Sequence, residues 1–181
     1  MDGLLKPARY PSDTLHAASP LLYYSESLQT SLLVKVMRLG ADKHGKIDFD
    51  VAGTLSGNWF LEGLPVGESA GPSAWDKHLA FVPDVYDATI RRVSIGGQLA
   101  KVGAFAAHPN DPIPSQVTSA SGKVAYHLYN RGGLMEQPGF SSQEGLVIVQ
   151  MLGAERIRIE AFNDPVNLDA EFTTAARIYV R

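Results

Sequence analysis

Apolar and polar residues alternate through the C-terminal third of the chain, where Ile157, Ile159 and Ala161 are interleaved with Arg156, Arg158 and Glu160, and Ile178 and Val180 with Arg177 and Arg181. A period of two sets one face on a core and the other in water, as in a half-buried β-strand. The same reading predicts an early pair of strands around Gly53, one carrying Ile47, Phe49 and Val51, the other Leu55, Trp59 and Leu61. Further strands are predicted at about 78–82, 90–96, 98–106, 122–130, 145–152, 155–162 and 172–181. Trp59, Ile157, Ile159, Ile178 and Val180 are expected to share one core. Leu146 to Leu152 is apolar on both faces, which calls for a helix or a second sheet over its outer side. Gly96-Gly97 and Gly153-Ala154 are candidates for tight hairpin connections.

Helical spacing occurs at Leu28, Leu32, Val36 and Leu39, with Ser25 as N-cap and Gly40 as a stop. This predicts one amphipathic helix over 26–39. Residues 1–24, with Pro7, Pro11 and Pro20, read as an irregular arm, and 25–181 as a single domain whose β part begins at 46. The fold class is therefore all-β and mainly antiparallel: an up-and-down barrel or a sandwich of about eight or nine strands with one N-terminal α-helix.

Three long connections rich in Gly, Pro and Ser interrupt the strands, at 63–77, 107–121 and 130–144. Long loops on a rigid β scaffold commonly carry function. In a plain meander the first and third share an end with 163–171, which would gather Trp75, Asp76, His78, Met135, Glu136 and Phe140 around one opening. Apolar anchors with a few polar groups suit a ligand mouth.

Composition narrows the chemistry. The 181 residues carry a net charge of −3 and no cysteine, which removes thiolate chemistry and disulfides. Clustered Lys and Arg of the kind that bind phosphate backbones are lacking, so no nucleic-acid partner is expected. No apolar run is long enough to span a bilayer as a helix, and Met1 to Lys6 does not begin an export signal, which leaves the compartment open. No cofactor motif is present: Gly96-Gly97 and Gly132-Gly133 lack phosphate-loop spacing, and no Gly-x-Ser-x-Gly occurs.

Gly57-Asn58-Trp59 resembles the Gly-x-Trp signature of the lipocalins, and Arg177 or Arg181 on the last strand is similarly placed to the basic residue that packs over that Trp in the family. The resemblance implies a calycin-type barrel over the β portion. A helix before the motif and none after the last strand depart from the family pattern.

The histidines His16, His44, His78, His108 and His127 show no metal-ligand spacing, and no metal is expected. His78 stands two residues after Asp76, a spacing that in an extended segment allows a carboxylate to orient a general base. His127 alternates with Tyr126, so one of the two enters the interior. These patterns favour binding of a small, largely apolar molecule in the barrel interior or its loop-rimmed mouth, with Trp75, His78, Met135, Phe140 and Tyr126 as contacts. Two alternatives stand beside it. One is a cofactor-free isomerase, cyclase or lyase using His78, Asp76 or His127; the other is a non-catalytic accessory domain of a larger secreted bacterial protein.

Overall fold

A computed structural model describes residues 3–40, 42–130, 143–164 and 169–181, with the backbone alone at 72 and 73. Strands β1 Gly57–Leu61, β2 His78–Pro83, β3 Arg91–Ile95, β4 Gly103–Ala107, β5 Lys123–Tyr129, β6 Gln143–Gly153, β7 Arg156–Phe162 and β8 Arg177–Val180 run antiparallel in chain order. Pairing of Phe60 with Val180 and Leu61 with Tyr179 joins β8 to β1 and closes the barrel. Among the described residues helix, 3-10 turns included, accounts for 21% and strand for 32%, which settles a mainly β class. No described helix is long and apolar enough to cross a membrane.

Closure explains the missing ninth strand. Both edges of β1 are taken, by β2 and β8, so residues 47–51 have no ladder to join. Ile47 and Val51 are exposed, and the segment is held by isolated bonds such as Asp50 N–H to the Gly3 carbonyl at 2.9 Å. Gly153 does end a short hairpin to Arg156, whereas Gly96-Gly97 opens a longer connection that reaches β4 at Gly103.

Alternation then fills the barrel. Trp59, Phe81, Tyr126, Ile157, Ile159 and Tyr179 point inward, are fully buried and belong to one continuous core. On β8 the expected face is reversed: Tyr179 is inside, opposite Ile157, and Ile178 and Val180 lie on the outer face. The aromatic ring supplies volume that the two aliphatic neighbours would not. Among the described residues the hydroxyls of Tyr126 and Tyr179 have no hydrogen-bond partner, and burial pushes the Tyr179 pKa up to about 12.

Among the described residues three short α-helices are present: α1 Ser12–Leu15, α2 Glu26–Leu33 and α3 Val66–Ser69. The predicted helix begins where expected but stops at Leu33, six residues early. Val34 and Val36 lower helix propensity, and a helix that short needs a packed face, yet α2 buries no residue. Leu39 instead bridges Asp87 and donates its N–H to the Tyr86 carbonyl at 2.6 Å, fixing the chain beside the β2–β3 connection. Since α2 buries nothing, it is no cover for the apolar outer side of β6; the 3-10 turn Ser119–Ser121 lies beside this strand.

Candidate functional site

Gly57-Asn58-Trp59 anchors the wall on which the candidate site is built. Gly57 has φ +111° and lies against Asp50 so closely that a Cβ would overlap the carboxylate, so only glycine fits. The Asp50 carboxylate, itself buried, accepts from Asn58 N–H at 2.8 Å, Leu5 N–H at 3.0 Å and the Tyr10 hydroxyl at 3.0 Å. Trp59 donates Nε1–H to the Leu55 carbonyl at 2.9 Å, and the Arg181 guanidinium stacks 4.0 Å above its ring. Arg181 also donates to the carbonyls of Val51, Leu55, Ser56 and Asn58. The last residue of the chain thus ties the start of β1 to the end of β8, and Asp50 ties the N-terminal arm to both.

Outside the barrel a second, smaller core forms. Phe60, on the outer face of β1, packs with Leu64, Ala74 and Tyr10, while the edge of His78 meets its ring at 5.0 Å. Buried Ser69 at the end of α3 knits these pieces together. Its Oγ–H lies within hydrogen-bond reach of the Arg9 and Val66 carbonyls, at 3.1 and 2.7 Å, and its own carbonyl accepts from His78 Nε2 at 2.9 Å.

Between the arm, the 64–77 segment and the outer faces of β1 to β3 lies a groove of about 690 Å³. Arg9, Tyr10, Trp75, His78, Ala80 and Val102 are among its lining residues. Trp75 is 75% exposed, Val102 58% and Ile47 45%, so three of the large apolar side chains left in water converge on this one depression. Gly96 makes the rim possible: a Cβ there would come within 2.6 Å of the Trp75 and Asp76 carbonyls, pushing that segment off the end of β3.

The structure divides the residues expected at a loop-rimmed mouth. Trp75, Asp76 and His78 do line one depression, but on the barrel's flank. Tyr126 is buried in the barrel core and does not line this groove. Met135 and Phe140, with Glu136, lie outside the described residues.

The carboxylate-histidine pairing also differs from expectation. His78 donates Nε2–H to Ser69, which leaves Nδ1 as the acceptor, and burial lowers its pKa, so the ring is neutral near pH 7. Asp76 accepts instead from Gln98 Nε2 at 2.9 Å. A true pair occurs elsewhere: on the outer face of β5, His127 Nδ1 is 2.7 Å from Oδ1 of Asp111, a buried carboxylate that also accepts from the His108 and His127 N–H groups. Arg91 braces this turn through the carbonyls of His108 and Asp111. Asp111 lies sixteen residues from His127, in a Pro-rich loop, and no spacing rule joins them. Neither lines the groove.

Chemically, the groove offers apolar contact area, the neutral imidazole of His78 as an acceptor, the Arg9 guanidinium and the Asp76 carboxylate. Among the described residues no group of three or more His, Asp or Glu side chains is arranged to hold a metal ion. No protein-family model, curated protein or solved structure matches the chain.

Proposed function

We propose that this protein binds a small, largely apolar molecule in the outer groove between its N-terminal arm and strands β1 to β3. The observation that carries the reading is Trp75, 75% exposed at the rim of a depression of about 690 Å³. That volume lies in the range of small-molecule sites, and an exposed indole beside exposed Val102 and Ile47 is surface that a ligand would remove from water. The inward side chains, Trp59 and Tyr179 among them, form one buried core, which favours the flank over the interior as the ligand's place. Kinship to the lipocalins belongs to the same proposal; it is supported by the closed eight-strand meander, Gly57-Asn58-Trp59 on the first strand, and Arg181 at 4.0 Å from the Trp59 ring.

The test is tryptophan fluorescence, since Trp59 is fully buried and Trp75 is the exposed indole at the groove. Titration with ten-carbon chains, 1-decanol and decanoate, should shift the emission saturably, and Trp75→Phe should abolish the change. No saturable change with either compound contradicts the proposal.

A second reading has its own observation. Leu22, Tyr23, Tyr24, Leu28, Val34, Met37 and Leu39 are all exposed, and α2 between them buries nothing, as in an accessory domain that docks through this segment. Sedimentation velocity at rising concentration, with a Leu22→Ser/Tyr23→Ser/Met37→Ser variant as control, tests whether the docking partner is a second copy.

A further inference from the structure

We infer that the ligand of the groove is a monocarboxylate, held by Arg9 at its acid end and by the apolar rim along its body. This rests on the groove being the binding site. Arg9 lines the groove, half-buried, with its guanidinium 5.1 Å from the centroid of Phe60, and it spends one hydrogen bond on the Leu64 carbonyl at 3.2 Å. Among the described residues no carboxylate pairs with it.

The other charged groups nearby are engaged by the protein itself. Asp76 accepts from Gln98, and Asp50 accepts from Leu5, Tyr10 and Asn58. Arg9 therefore keeps most of its five donors for a partner that the chain does not provide. A half-buried cation beside apolar surface is favoured when an anion pairs with it, and a planar guanidinium matches a carboxylate through two parallel bonds. Charge balance selects the anion class. One guanidinium neutralises one negative charge, whereas a phosphate dianion would need a second cation; Asp76 on the same groove repels any anion, and a dianion about twice as strongly. An overall charge of −3 provides no general attraction for anions, so the preference has to come from Arg9 locally.

The experiment compares decanoate with 1-decanol, which share the chain and differ in the head group, by Trp75 fluorescence and calorimetry on the intact chain. Wild type should bind decanoate at least about tenfold more tightly, the scale of a hydrogen-bonded charge. Added salt should reduce that preference. Arg9→Met, which keeps apolar cover over Phe60, should bring the two ligands to within about twofold while decanol binding is kept; Arg9→Lys should fall between. Equal affinities in wild type, or a preference that survives in Arg9→Met, overturn the carboxylate inference and leave the groove reading standing. Failure of both ligands to perturb Trp75 overturns both. The wild-type ratio and its salt dependence decide the matter even if an Arg9 variant does not fold.

Discussion

The Arg181 guanidinium stacks on Trp59 and donates to three carbonyls in the turn that leads into β1 and to that of Asn58 within it. Both partners are buried, where a cation-π contact is worth about 2 kcal/mol and each carbonyl left unpaired costs about 1–3 kcal/mol. These terms do not add in full, so Arg181→Ala should cost on the order of 3 kcal/mol and lower Tm by roughly 6–12 °C for a chain of this size. Thermal denaturation checks it; a fall of less than about 2 °C would show that the stack is incidental. His78 sets a pH dependence. Its pKa is lowered from 6.5 by burial, so between that lowered value and 6.5 the unfolded chain binds more protons than the folded one. Stability from this residue is complete above 6.5 and declines as the pH falls below it. His78→Gln, which keeps a donor for the Ser69 carbonyl, should show a smaller loss of Tm than wild type between about pH 7.5 and 5.5. An identical loss in both proteins would place the titration elsewhere.

Strands with β-branched residues in strict alternation were readable because their faces meet one core; Ile157 and Ile159 are the clearest cases. The segment 47–51 alternates as well, but register and closure are properties of the whole sheet, and its neighbours leave it no partner. Likewise Leu28 to Leu39 has helical spacing, yet without a packed face the helix ends at Leu33. The arm shows a third limit. Nothing local announces that Leu5 and Tyr10 hang from Asp50, forty or more residues away. Hydrogen bonds to a buried carboxylate are worth about 1.5–3 kcal/mol each. Asp50→Ala should therefore release the arm: trypsin should cut after Arg9 much faster than in wild type, while the far-ultraviolet dichroism of the barrel is retained. An unchanged cutting rate would mean that packing of Tyr10 on Phe60 holds the arm alone.

At the scale of the molecule, the meander order could be counted from the chain, since each strand pairs with the next. That count put the 63–77 loop at one end of the barrel, and Trp75 and His78 do share a depression. What it could not supply was the arm folding back over β1 to form the other wall, or whether the interior was full. Those depend on distant contacts through Asp50, Ser69 and Phe60 and on the summed volume of the inward side chains. Methyl-resolved NMR with saturating decanoate distinguishes an acid-bearing apolar ligand on the flank from one inside the barrel. Resonances of Ala70, Ala80 and Val102, which line the groove, should shift, and those of Val149, Ile157 and Ile159, buried in the core, should stay in place. Shifts concentrated at Val149, Ile157 and Ile159, with the groove methyls unmoved, would contradict the account and put the ligand inside the barrel.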